Sequence, residues 1–249
     1  MHIPIAVQAA ADRCGRFSSN AKMPGREHRK HELGISWGTP SKYCRTGRKL
    51  AEDERSVCAN CSVHGVGHYA YPGTKAANER RYKALMESPT FSADFLEVLT
   101  ALHANGLEYF RLHDTGDFQS GAHVDMVTGW ARSLPGLNIW VPTKEARLVA
   151  TRARIASYPD NLTMRLSAPL TDGAPLQLGL PTSTVHKYKA PLGYACPAEN
   201  QEGRCNGAAV GGIDCRACWS PDEYPNISYH GRYMAKAPRP DAGNLPVVR

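Results

Sequence analysis

Long apolar runs are missing from this chain of 249 residues. No stretch approaches the roughly 20 apolar residues that a membrane-spanning helix needs, so a membrane protein is not expected. An export signal is not visible either. The short apolar run at residues 3–7 is broken by Pro4 and has no basic segment before it. The expectation is a cytoplasmic protein, in which structural disulfides are uncommon. Internal repeats and low-complexity blocks are absent, which argues against a solenoid or a disordered chain. Acidic residues are scarce at the start. Residues 1–50 hold three (Asp12, Glu27, Glu32) against ten Lys and Arg, an excess equal to the whole net charge of +7. A basic arm of this kind is a candidate nucleic-acid contact, because phosphate neutralisation needs only clustered cations. The plain alternative is a solubilising arm, since no aromatics interleave the charges.

Cysteine is absent from residues 62–195, and that gap sets off what is present. Seven of the eight cysteines form two sets, each with a Cys-x-x-Cys pair: Cys44, Cys58 and Cys61, then Cys196, Cys205, Cys215 and Cys218. A thiolate pair at that spacing can hold one soft metal centre from a single turn of chain. A chain of this length can bury a sizeable core without metal, so the thiols call for a local explanation. Three thiolates on a four-iron cluster leave one iron open, and on zinc they leave room for water. His64 or His68 would close that position, and Arg45, Arg48 and Lys49 would stabilise thiolates. The four later cysteines complete either a closed zinc site or a fully ligated four-iron cluster, and spacing does not choose between them. Trp219 is placed to shield that centre. Cys14 has no assigned role.

The pattern between the two sets alternates. Helices are expected at 74–87, with Thr74 as cap, and from Thr90 or Ser92 to Gly106, where Phe91, Phe95, Leu99 and Leu102 recur at helical spacing. Strands at 107–113, 137–142 and 162–168 are separated by helices at 120–134 and 144–157. Residues 183–187 would add a short strand. Strands joined by helical crossovers imply parallel pairing, hence an α/β fold. The expected architecture is a partial or distorted (β/α) barrel with cysteine-rich, metal-bound loops at both ends. The domain reading is a basic irregular arm at 1–40, one α/β metal-binding domain at 41–235 with its cysteine-rich segment at 190–222, and a tail at 236–249.

Parallel sheets place ligands at the carboxyl ends of their strands. That rule picks out His113, Asp114, Gly116 and Asp117 after the first strand, and Thr143 and Lys144 after the second. In the third strand Thr163, Arg165 and Ser167 share one face. His113 and Lys144 are acid/base candidates, and Asp114 and Asp117 would orient polar groups. Gly116, Asp117, Thr143, Arg165 and Ser167 are the cofactor-binding candidates. Asp114 and Asp117 have a plainer use as turn and cap residues.

Together these segments resemble a family of bacteriophage proteins, the gene-product-eighty-eight family. The resemblance is carried by Lys22-Met23-Pro24-Gly25, Cys44 with Gly47, Cys58-x-x-Cys61, Arg80-Arg81-Tyr82 and the run from Arg111 to Phe118. Trp140-x-Pro142-Thr143-Lys144-Glu145, Arg165-Leu166-Ser167-Ala168-Pro169, the run Pro181 to Val185 and Cys215-Arg216-Ala217-Cys218-Trp219 complete it. It implies a phage protein acting in the host cytoplasm and little chemistry. A weaker resemblance is to radical S-adenosylmethionine enzymes. It would make Cys44, Cys58 and Cys61 the ligands of a 4Fe-4S cluster with an open iron, and Gly116-Asp117 the contact for S-adenosylmethionine. The departures are thirteen residues between the first two cysteines and Asp in place of Glu. The expectation is an iron–sulfur protein with one or two clusters, radical-SAM-like or otherwise redox-active. Its rival is a zinc-stapled protein without catalysis that binds nucleic acid or a host factor.

Overall fold

The computed structural model describes residues 3–20, 34–59, 61, 63, 69 and 71–231. Its strands are β1 (Ser18–Asn20), β2 (Gly34–Trp37), β3 (Tyr109–Leu112), β4 (Asn138–Thr143), β5 (Leu162–Thr171), β6 (Thr182–His186), β7 (Tyr194–Ala195) and β8 (Asn226–His230). Its helices are α1 (Gln8–Arg13), α2 (Arg45–Leu50), α3 (Pro72–Glu87), α4 (Phe91–Ala104), α5 (Gly121–Ser133) and α6 (Ala146–Ile155). One sheet holds all the strands, in the order β1-β2-β3-β4-β5-β6-β8-β7. β1 is antiparallel to β2, and the seven strands from β2 to β7 along that order are parallel.

The helices form where the sequence favours them. In α4, Phe91, Phe95, Val98, Leu99 and Leu102 recur every three or four residues and are all buried. Gly106 then adopts φ +93°, and Leu107 N–H bonds back to the Leu102 carbonyl, which ends the helix. Ser120 caps α5 by accepting the His123 N–H. α3 starts on Pro72 instead of being capped by Thr74; proline suits a first helical position, where no N–H partner exists.

Strand alternation splits the sheet into two faces. Phe110, Leu112, Ile139, Val141, Leu162, Met164 and Leu166 join the main core with residues from α1, α4, α5 and α6. The opposite face carries Tyr109, Trp140 and Ile227, and the cysteine-rich segment between β7 and β8 packs on it through Ala217, Cys218 and Trp219. Strands β2 to β5 are neighbours in chain order, which lets α4, α5 and α6 lie on the same side of the sheet.

Two expectations change. The described pairing is that of an open sheet: among the described residues β1 and β7, the two end strands, do not pair with each other. They are short, and the cysteine-rich segment fills the face that a barrel would enclose. The first forty residues are not wholly irregular. They supply α1, β1 and β2, with Ala10, Ala11, Ile35 and Trp37 buried in the core. Residues 21–33 of that arm and the 236–249 tail lie outside the described residues. No helix among the described residues is long and apolar enough to cross a membrane.

Candidate metal centres

The carboxyl edge of the sheet is built from two turns that lock together. His113 N–H donates to the Trp37 carbonyl at 2.8 Å, and Thr39 N–H to the Thr115 carbonyl at 2.9 Å. Both turns depend on glycine. Gly116 sits at φ +83°, and a Cβ there would lie 2.0 Å from Thr39 Oγ1. A Cβ on Gly38 would lie 2.2 Å from Asp114 Oδ1. Asp114 itself accepts from Ser36 Oγ at 2.9 Å through its other oxygen.

Asp117 joins the ends of β3 and β4. Its carboxylate accepts from Thr143 Oγ1 at 2.6 Å, Lys144 N–H at 2.7 Å and Phe118 N–H at 2.8 Å. Burial pushes its carboxyl up to about 6, and those three donors hold it from rising further. Thr143 Oγ1 also accepts Glu145 N–H, at 3.0 Å. Glu145 Oε1 in turn accepts Thr46 N–H at 2.9 Å, which fixes the first turn of α2 directly after Cys44.

The first thiol set assembles on this edge. Gly47 in α2 is buried, and a Cβ there would lie 3.1 Å from Cys44 Cβ and 3.6 Å from Cys58 Sγ. Cys44 and Cys58 thus meet at one point across thirteen intervening residues. The Cys58 loop is stitched to the end of β5: Val57 N–H donates to the Pro169 carbonyl and Thr171 N–H to the Arg55 carbonyl, both at 3.0 Å. Cys61 N–H bonds back to the Cys58 carbonyl at 3.3 Å. Burial raises all three thiols, and each is partly buried. Asp117 and the other two thiols raise Cys44 further, whereas Lys144 pulls Cys58 and Cys61 back down. Burial lowers the Lys144 ammonium to about 8, and Cys58, Asp117 and Cys61 oppose that shift. Its Nζ donates to the Ala168 carbonyl. The cation acting on these thiols is therefore Lys144; Arg45, Arg48 and Lys49 stand exposed on and beside the outer side of α2. His64 and His68 lie outside the described residues.

Chemically, this is a donor set short of positive charge. Buried thiols do not ionise without a cation beside them, and one lysine serves two of the three. A bound metal would supply the missing charge and hold three thiolates. The residues therefore fit a thiolate-bound centre.

The second set, Cys196, Cys205, Cys215 and Cys218, lies over the face opposite the helices. Cys215 N–H bonds to the Cys205 carbonyl at 2.8 Å, and Cys196 N–H to the Ser228 carbonyl at 2.9 Å. The thiols are electrostatic neighbours: Cys196 and Cys215 raise Cys205, and Cys205 and Cys196 raise Cys218, in each case after burial. Arg111 and Arg216 oppose the shift at Cys205, and Tyr229 Oη lies 3.1 Å from Cys218 Sγ. The segment is held down by Arg165 and Trp219. Arg165 is fully buried; its Nη1 donates to the carbonyls of Thr182, Tyr224 and Pro225, and its Nη2 to those of Ala217 and Cys218, at 2.9–3.4 Å. Trp219 Nε1 donates to the Phe110 carbonyl at 3.1 Å, and its ring packs edge-on to Tyr109 and Trp140. Thr163 Oγ1 donates to the Trp219 carbonyl at 3.1 Å.

The polar face of β5 thus carries the cysteine-rich segment. Arg165 and Thr163 hold its backbone, and Ser167 meets Ser183 at 3.2 Å. Of the strand-end candidates, Lys144 and Asp117 act on the first thiol set. His113 lies behind Asp117, its Nδ1 4.0 Å from Oδ1; buried at φ +58°, it packs edge-on to Phe118 and His123, with ring centroids at 4.7 and 5.4 Å. Its imidazole is held well below the ordinary range, mainly by burial and then by His123. Cys14 is a core residue 3.8 Å from the Phe91 carbonyl, its thiol pushed up to about 12 by burial. Sequence reasoning missed Gly38, Gly47 and Glu145 as site-building residues. Glu145 stands next to a picked residue, and only its bond across 99 positions gives it a role.

Several cations of the basic arm are engaged within the fold. Arg13 pairs with Asp94 at 2.6 Å, Arg16 with Asp12 at 2.7 Å and Lys42 with Glu79.

Comparison with known proteins returns one family model, described as Gene product 88, over residues 17–221. No curated protein and no solved structure matches the chain. The likeness to radical S-adenosylmethionine enzymes finds no support in these comparisons.

Proposed function

The chain belongs to the gene product 88 family, and from the site it carries we propose that it is a phage-encoded iron–sulfur protein of the host cytoplasm. A cluster would be held by Cys44, Cys58 and Cys61, and a second centre, iron–sulfur or zinc, by Cys196, Cys205, Cys215 and Cys218. The observation that supports this most is the meeting of Cys44 and Cys58 beside Gly47 at the carboxyl edge of the sheet, with Lys144 acting on Cys58 and Cys61. That edge is where α/β sheets present their reactive groups.

When bound, such a cluster supplies one-electron transfer and, at an iron without a protein thiolate, a position for substrate. Around it, Lys144 would lend positive charge and hold a proton near the thiols. Asp117 would fix the backbone of Lys144, and Glu145 would fix the turn that carries Cys44.

The test is iron, acid-labile sulfide and zinc per chain on anaerobically purified protein, with its visible spectrum. Matching iron and sulfide with a brown chromophore support the reading. Zinc alone, without sulfide even after anaerobic reconstitution, overturns it in favour of a zinc-stapled protein.

A further inference from the structure

We propose that His186, Glu199 and His230 form a separate site for one divalent ion of the zinc class, built from nitrogen and oxygen donors at the carboxyl edge of β6 and β8. His186 and His230 end these two strands and are register partners across the ladder. Their rings stand at 87° with centroids 5.2 Å apart. Glu199, on the short turn Pro197–Asn200, brings Oε1 to 3.5 Å from His230 Nε2. One ligand atom from each of the three lies within 4.8 Å of the other two. All three residues are half-buried, which lowers the competition from water.

The strand below keeps His186 in place. Its Nδ1 meets Ser228 Oγ at 2.9 Å; Ser228 is fully buried and takes a hydrogen bond from Thr184 Oγ1 at 3.2 Å. Asn226 Nδ2 donates to Thr184 Oγ1 at 3.1 Å and completes the chain. Supporting hydrogen bonds of this kind orient metal-binding imidazoles. An ion pair alone would account for His230 and Glu199, but not for a second imidazole steered to the same point.

Two histidines and one carboxylate are a zinc-type donor set with one position left over. His186 and Ser228 also line a cavity of about 280 Å³ bordered by Asp172 and Lys189. That space suits water or a small anion on the remaining position. The donors are harder than the thiolates of the two sulfur sets. Glu199 follows Cys196 by three residues, which makes the two centres neighbours along one turn.

The probe is cobalt(II), added to the full chain as anaerobically purified. Two exchangeable imidazole N–H protons should appear at strongly shifted positions in the proton spectrum. The His186→Ala/His230→Ala variant should bind one cobalt fewer per chain and keep its thiolate-to-metal absorption. Absence of shifted imidazole protons in the unaltered chain, or unchanged cobalt stoichiometry in the variant, overturns the proposal. The first readout needs no substitution, so its absence overturns the proposal even if the variant misfolds.

Discussion

Asp117 and Lys144 meet across the ends of adjacent parallel strands, the carboxylate accepting the lysine's backbone N–H at 2.7 Å. With Thr143 and Phe118 on the other oxygen, this contact fixes where the Lys144 side chain starts, and so where its charge falls on Cys58 and Cys61. Asp117→Asn keeps the shape but turns an amide donor toward one of three donors. The expected cost is about 1–3 kcal/mol, that of one buried group left unpaired. Urea unfolding measures it; a variant as stable as the parent would show that Asp117 does not clamp the two strands.

Lys144→Met removes the cation beside two buried thiols. In metal-free protein the Cys58 and Cys61 thiols should then ionise at a higher pH, making alkylation at fixed pH slower. Residue-resolved iodoacetamide labelling reads this directly. An unchanged rate would mean that Lys144 does not act on the thiols.

Acid should destabilise the fold through two histidines. Burial holds His123 at about 3 and His113 well below its usual range, whereas in the unfolded chain both return to about 6.5. Below 6.5 the unfolded state binds more protons. The stabilisation is therefore complete above that pH and is lost as pH falls, by roughly 1.4 kcal/mol per unit for each histidine. Asp117 acts the other way: its carboxyl moves from 3.8 unfolded to about 6 folded, so it gains stability as pH falls through that window. Two histidines outweigh one carboxylate. Denaturation midpoints at about pH 7 and about pH 5 should show the net loss, and His123→Asn should bring the profile close to flat between about 6 and 4. A parent protein equally stable at both values would contradict this.

Arg165→Met should strip the five carbonyls that Arg165 serves and release the Cys215–Cys218 turn from the sheet. A loss of about 3–5 kcal/mol is expected, as for other buried charged groups removed from their partners. Metal at the second thiol set should fall while the first set keeps its own. Metal stoichiometry and limited proteolysis within 196–218 test this; equal loss at both sets would contradict it.

The elements legible in the sequence were those with a strong local signature. β3, α5, β4, α6 and β5 announce themselves through apolar period. β2 did not, because Gly34–Trp37 is four residues long and buried throughout, so no alternation marks it. β7 is two residues, and β8 inserts between β6 and β7, an order no local pattern encodes. At the site, the thiols and strand-end residues could be picked out by chemistry and position. Gly38 and Gly116 matter only because two distant turns interlock. Whether the face of Thr163, Arg165 and Ser167 is covered depends on the cysteine-rich segment packed against it, which no pattern within β5 encodes. His186, Glu199 and His230 share no spacing motif; strand register joins the two histidines, and the turn Pro197–Asn200 brings Glu199 to them.

The central claim is that Cys44, Cys58 and Cys61 hold an iron–sulfur cluster of their own. Its most direct test is iron and acid-labile sulfide per chain in anaerobically purified parent and Cys58→Ser/Cys61→Ser protein, side by side. The account predicts iron and sulfide in the parent, and a variant that loses both in matching amounts while any metal on Cys196, Cys205, Cys215 and Cys218 remains. Iron and sulfide unchanged in the variant, or absent from the reconstituted parent, would contradict it.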